Sequence, residues 1–222
     1  MANDLNTHKK CFNHKGKSMK HILVTGGCGF IGTNFIQYIH KNKPDWHVFN
    51  LDALTYAGNP ANHSHLEDDP GYTFVHGNIC DTDLLTDLFD SHGFDGVFHF
   101  AAESHVDRSI AGPEVFVHTN VTGTFRLLEA SLAHVRKNTG SPFRFVHVST
   151  DEVYGSLGFD DPAFTEADAY DPSSPYSASK AASDHFVKAW YKTFGLPVVV
   201  TNCSNNYGPY QFLEKLIPLM IL

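Results

Sequence analysis

His21-Ile22-Leu23-Val24-Thr25-Gly26-Gly27-Cys28-Gly29-Phe30-Ile31-Gly32 is the stretch that decides the fold. A short apolar run, His21–Thr25, breaks into glycines at 26, 29 and 32, a GxxGxxG pattern, and helical periodicity follows over Ile31–Lys41. Glycine permits the tight turn, removes the Cβ that would block a diphosphate, and lets strand and helix pack closely. Phosphate oxygens placed there would meet free N–H groups and the positive end of a helix dipole. A glycine pattern alone is weak, because many strand-to-helix turns are glycine-rich; its surroundings decide its weight.

Working outward, further strands are predicted at His47–Leu51, Tyr72–His76, Gly96–Phe100, Phe143–Ser149 and Pro197–Asn202. Helices are predicted at Thr82–Ser91, Pro113–Lys137 and Tyr176–Thr193, with another beginning near Glu214. Alternating strands and helices, with continuous apolar strands such as Val97-Phe98-His99-Phe100, imply a parallel sheet covered on both faces. Right-handed crossovers then give a doubly wound, Rossmann-type α/β fold. Residues 1–19 read as a disordered tail, polar and basic and without the apolar core of a secretory signal. Met19 directly precedes the first strand, so the first eighteen residues read as an upstream extension or a misplaced start. Residues 20–222 form the main domain, and Pro218-Leu219-Met220-Ile221-Leu222 reads as a helix cut before any stop signal.

Asp52 lies at the end of the second predicted strand, twenty residues after Gly32. A carboxylate there accepts hydrogen bonds from adenosine ribose hydroxyls and repels a 2′-phosphate, which favours NAD over NADP. Asn78-Ile79 follows the third strand, where such folds touch adenine. Ala101-Ala102-Glu103-Ser104 follows the fourth, at the sheet edge where ligands bind.

Tyr176 and Lys180 are one helical turn apart, and Pro175 helps start their helix. A tyrosine acting as a base near neutrality needs its pKa lowered by roughly three units, worth about 4 kcal/mol. Lys180 and the charge of an oxidised nicotinamide would supply that electrostatically. The fifth strand ends at Ser149-Thr150-Asp151-Glu152. Thr150 is placed to hydrogen-bond an oxygen being oxidised, and the two carboxyls beside it give the acid and base that an elimination of water requires.

Composition narrows the field. The 222 residues carry a net charge of −8, which argues against a nucleic-acid surface, and 42% hydrophobic residues is ordinary for a globular chain. No apolar run reaches membrane-spanning length, so the expected address is cytoplasmic. Four scattered cysteines (Cys11, Cys28, Cys80, Cys203) suit a reduced compartment, and the fifteen histidines show no metal-ligand spacing, so no metal is assigned.

LVTGGCGFIG, LDALTYAGN, FAAESHVDRS, VSTDEVYG, YSASK and TNCSNNYGPYQFLEKLIP, in this order, resemble the dTDP-glucose 4,6-dehydratases of the extended short-chain dehydrogenase family, from about residue 20 to the last residue. The resemblance implies that Tyr176, with Lys180, takes the proton of the sugar 4-hydroxyl while hydride passes to NAD⁺. Glu152 would then remove the proton at carbon 5, Asp151 would protonate the departing 6-hydroxyl, and hydride would return to carbon 6. It also implies substrate contacts at Ser104, Thr150, Asn205, Lys215 and Leu216. Cofactor contacts would lie at Gly26, Gly29, Phe30, Ile31, Gly32, Asp52, Thr55, Asn78, Ile79, Ala101, Ala102, Thr119 and Asn206, with Tyr176 and Lys180. A homodimer through the helices at Pro113–Lys137 and Tyr176–Thr193 is implied as well. Leu213 stands where the family commonly has proline, and Asn78 where it commonly has aspartate. Family members continue into a smaller C-terminal substrate domain, largely absent from these 222 residues. Two other readings share the glycine loop and the Tyr176/Lys180 pair: a nucleotide-sugar epimerase or decarboxylase, and an inactive NAD-binding fragment.

Overall fold

The computed structural model describes residues 19–222. Six strands form one sheet: β1 (Lys20–Thr25), β2 (Trp46–Asp52), β3 (Tyr72–His76), β4 (Gly96–His99), β5 (Arg144–Thr150) and β6 (Val198–Cys203). All pair in parallel, in the spatial order β3-β2-β1-β4-β5-β6. The order reverses between β1 and β4, and a crevice opens there beyond the carboxyl ends of the strands. The predicted strands are all present, displaced by at most a residue at either end. The expected tail at 1–19 lies, Met19 excepted, outside the described residues.

Successive residues of β1 serve opposite faces, as a pleated strand requires. Ile22 and Val24 pack with Ile36 and Ile39 of α1 (Phe30–Asn42). Leu23 points the other way, into a larger cluster with Val97, Leu127, Phe145 and Val187. That second layer consists of α2 (Thr82–His92), α5 (Thr124–Lys137) and α6 (Pro175–Phe194). Burial on both faces explains why β1 and β4 read as unbroken apolar runs. Each fully buried Leu, Ile or Phe contributes roughly 1.5–3 kcal/mol.

Three sequence expectations need correction. The helix at Pro113–Lys137 is not uniform: a short α4 (Glu114–Phe116) passes through a π-helical stretch, Val117–Gly123, before α5. The last helix, α7, is Leu216–Ile221 and not a run from Glu214, because Lys215 has extended backbone (φ −82°, ψ 152°). Three short elements were not anticipated: α3 (Val106–Ala111) and 3-10 turns at Pro60–Leu66 and Asp151–Tyr154. Each follows a side-chain cap, His105, Asn59 and Thr150 respectively, too brief to leave a period in the sequence.

α6 starts at a reciprocal Ser174/Ser177 capping box with Pro175 in its first turn, and stops at Gly195 in the left-handed region (φ 72°). Its buried face includes Tyr176, Lys180, Asp184 and Val187, a single stripe at helical spacing. No helix of the described residues is long and apolar enough to cross a membrane.

Candidate active site

The three patterned glycines do different jobs. Gly26 sits at φ 72°, and a Cβ there would come within 2.6 Å of the Ala101 backbone, so glycine lets the β1 turn close onto β4. A Cβ on Gly32 would overlap the Gly26 carbonyl oxygen. Gly29 is unlike both: its backbone is extended (φ −77°), and the nearest atom to an added Cβ is the Gly26 oxygen at 3.4 Å. Its bare Cα faces the crevice. Gly29 is also the N-cap of α1, and no side chain caps that helix, so its first-turn N–H groups stay open to a ligand.

Asp52 is fixed by its own loop. Its Oδ2 accepts the Cys28 N–H at 2.8 Å and its Oδ1 accepts the Leu54 N–H at 2.8 Å. The Gly27 carbonyl behind it accepts from Thr33 Oγ1 at 3.1 Å and is joined by His63 Nε2 at 2.8 Å. The peptide between Gly27 and Cys28 is therefore tied at both ends, which fixes the carboxylate against the glycine turn.

A cleft of about 350 Å³ runs from this turn to the start of α6. Gly26, Gly29, Phe30, Ile31, Gly32, Asp52, Thr55, Asn78, Ile79, Ala101, Ala102, Ser104, Thr119, Thr150, Glu152, Tyr176, Lys180, Asn205, Asn206 and Lys215 all line it. Of the residues singled out by sequence, Asp151 and Leu216 are not brought to its wall. Leu216 opens α7 and is 74% exposed. Asp151 sits behind Thr150, whose hydroxyl donates to Asp151 Oδ1 at 3.4 Å and accepts the Glu152 N–H at 3.2 Å.

The electrostatics differ from the sequence expectation at the tyrosine. Burial, then the Glu152 carboxylate, push the Tyr176 phenol above its ordinary value, and the Thr150 hydroxyl opposes them only in part. Lys180 points past it: Nζ donates to the Val148 carbonyl at 2.8 Å, and burial brings the ammonium down to about 8. Among the chain's own groups, then, the phenol is held neutral. Glu152 is raised by burial and by Asp151, with Lys215 pulling the other way, which leaves a carboxyl that binds a proton more tightly than a solvated one.

Sequence reasoning missed two supports. Asn120, in the π-helical stretch, accepts the Glu103 N–H at 2.9 Å through Oδ1, and its Nδ2 donates to the Glu103 carbonyl at 2.9 Å and to Ser179 Oγ at 2.8 Å. It therefore pins the cleft edge after β4 to α6; π-helical turns recur at functional sites, but no periodicity announces one. Arg108 is the second. It bonds Glu214 at 3.0 Å and stacks 3.8 Å over the Tyr56 ring, holding the segment that carries Lys215 against the loop after β2. The FAAESHVDRS string contained it without a role.

Parallel sheet, glycine turn, Asp52 and the Tyr176/Lys180 pair together define the extended short-chain dehydrogenase class. The chain belongs within it to the family described as GDP-mannose 4,6 dehydratase, which matches residues 23–222. Among curated proteins it is similar to dTDP-glucose 4,6-dehydratases of Salmonella typhimurium (54% identical over 90% of this chain) and Neisseria meningitidis serogroup B (56% over 92%). It spans 58% of the length of each. Among solved structures, the dTDP-glucose 4,6-dehydratase DesIV of Streptomyces venezuelae, crystallised with NAD bound, superposes with a TM-score of 0.82 at 51% identity. That match covers 90% of this chain and 61% of the other. The corresponding enzyme of Bacillus anthracis, in complex with NAD, gives 0.80 at 48%, covering 91% and 60%.

Proposed function

We propose that residues 20–222 are the NAD-binding, catalytic domain of a dTDP-glucose 4,6-dehydratase, converting dTDP-glucose to dTDP-4-keto-6-deoxyglucose. The observation that carries the reading is the meeting, in one cleft, of the glycine turn and Asp52 at one end with Thr150, Glu152, Tyr176 and Lys180 at the other. The residues present fit the cofactor: Gly29 leaves the room a side chain would fill, and the open start of α1 faces it. Bound there, NAD would supply the hydride acceptor for sugar carbon 4 and the hydride donor for carbon 6.

The chain's own groups do the rest. Asp52 is set to receive the adenosine ribose hydroxyls and to disfavour a 2′-phosphate. Thr150 and Tyr176 orient the sugar 4-hydroxyl, and Tyr176 removes its proton. Glu152 takes the carbon 5 proton once the neighbouring carbonyl has acidified it. Asp151 delivers a proton to the departing 6-hydroxyl, moving forward from its place behind Thr150. Lys215 and Asn205 hold the substrate at the open end. An epimerase would have no use for the two carboxyls. The homodimer proposed for this chain uses the helical run Pro113–Lys137 and α6, and Phe186, Tyr191 and Phe194 of α6 are exposed.

Mass spectrometry of dTDP-glucose incubated with the chain and NAD⁺, beside a Tyr176→Phe control, tests the reading. Loss of one water from the sugar nucleotide, absent in the control, is the expected result. An unchanged mass with altered stereochemistry, or loss of carbon dioxide from a glucuronate analogue, would replace it with an epimerase or decarboxylase. NAD⁺ binding with no turnover would leave an inactive fragment.

A further inference from the structure

Asp184 lies one turn beyond Lys180 on the buried face of α6 and does not touch the cleft. Its side chain is fully buried, yet it is heavily supplied with partners. Oδ2 accepts from Ser149 Oγ at 2.9 Å, from the Tyr170 hydroxyl at 2.9 Å and from Asn202 Nδ2 at 3.2 Å. His147 Nε2, also fully buried, lies 3.1 Å from Oδ1. Burial alone would raise this carboxyl, but the contacts with His147 and Ser149 and the charge of Lys180 outweigh it, and the group lies below its ordinary value.

Lys180 needs such a neighbour. Its ammonium is buried, with a bond to the carbonyl of Val148, the residue next to Ser149. A lone ammonium in a dry interior sheds its proton. The groups acting on it are Asp184 on α6, His147 on β5, His99 on β4 and Cys203 on β6. Both histidines are pushed toward the neutral form, by burial first and by Lys180 among their neighbours, so they add no competing positive charge. Glu152 and Asp151 act on Tyr176, not on Lys180.

We propose that Asp184 is a positioning residue, whose carboxylate, fixed by Ser149, Tyr170 and Asn202, keeps the Lys180 ammonium charged at its bond to the Val148 carbonyl. Its meaning for catalysis rests on the role proposed above for Tyr176 and Lys180. The charge linkage itself does not, and it can be measured without any turnover.

The test follows the thermal unfolding midpoint of the chain and of Asp184→Asn from pH 6.5 to 10. Loss of hydrogen bonds alone lowers the variant's midpoint by the same amount at every pH. Loss of a charge pairing does not. Below about 8 the wild type keeps its folded ammonium, so the gap there contains both losses; above it, Lys180 is neutral in both proteins and only the hydrogen-bond part is left. The expected result is a gap that shrinks by half or more between pH 6.5 and 9.5. A constant gap would overturn the proposal. If Asp184→Asn does not fold, the double variant Lys180→Met/Asp184→Asn decides: with the ammonium gone it folds, and failure of the double variant too makes Asp184 merely structural and sinks the idea. Absence of dehydratase activity bears on the proposed function and leaves this result untouched.

Discussion

Gly26 and Gly29 belong to one pattern, but the geometry separates them into a glycine the fold needs and a glycine a ligand needs. Gly26→Ala places a Cβ at φ 72° and within 2.6 Å of the Ala101 backbone. The left-handed conformation costs roughly 1–2 kcal/mol for a non-glycine residue. Forcing an extra methyl against rigid backbone adds about 1–3 kcal/mol, and the lower entropy of the unfolded chain returns up to about 1 kcal/mol. The net loss is about 1–5 kcal/mol, which for a chain of this size lowers the unfolding midpoint by roughly 2–20 °C. Gly29→Ala meets nothing closer than 3.4 Å and has an ordinary φ, so its stability stays within about 1 kcal/mol of the parent. Its methyl instead stands over the open N–H groups of α1. NAD⁺ affinity, measured by isothermal titration calorimetry, then falls by on the order of tenfold to a hundredfold as those bonds are lost. Differential scanning calorimetry supplies the stability arm. Two variants destabilised alike, or an unaltered NAD⁺ affinity in Gly29→Ala, would refute the division of labour.

Three further outcomes follow from the same site. On the proposed function, Glu152→Gln keeps NAD⁺ binding but lowers the rate of water elimination from dTDP-glucose by about 10²–10⁴, the usual weight of a general base; near-normal turnover would remove Glu152 from its proposed role. His47 and His147 are lowered to about 4 by burial, and His99, His63 and His134 are lowered too. Since the unfolded chain then binds more protons than the folded one below pH 6.5, stability is lost as pH falls from about 6.5 towards 4, and an unfolding midpoint that stays flat over that window counts against it. Finally, an ultraviolet difference titration of the chain against Tyr176→Phe places Tyr176 ionisation above the ordinary phenol range, as its burial and the Glu152 carboxylate require. A phenolate detected near neutrality in the protein alone would contradict that geometry.

Much of the scaffold was legible in the sequence for a simple reason: residues buried from both sides must be apolar whatever their neighbours are. Ile22-Leu23-Val24 and Val97-Phe98 announce β1 and β4, and the glycine turn between β1 and α1 places the crevice. What stayed hidden consists of features without a period. The π-helical stretch at Val117–Gly123 keeps the helix going while altering its phase, so Asn120 comes to face both the loop after β4 and α6 with no signal in the pattern. The 3-10 turn at Asp151–Tyr154 swings Glu152 into the cleft and leaves Asp151 behind Thr150, although the two carboxyls are adjacent in the chain.

The Tyr176/Lys180 pair marks the limit most clearly. Spacing says that two residues share a helical face; it does not say what lies between their charged ends. Lys180 turns to the Val148 carbonyl, and Asp184, one turn further along the same stripe, gathers bonds from β5, β6 and the loop before α6. His99 and His147 sit in strands that read as apolar, and neither is spaced for a metal. Each instead has a hydroxyl partner in the interior, Thr25 and Thr124 for His99 and Ser183 for His147. Buried polar groups are held by the partners supplied to them, and for these two histidines those partners come from three different elements, β1, α5 and α6. The electrostatic state of Tyr176 is therefore a property of the assembled sheet edge, and a positive charge brought to that edge by a cofactor acts on a phenol the protein alone keeps neutral.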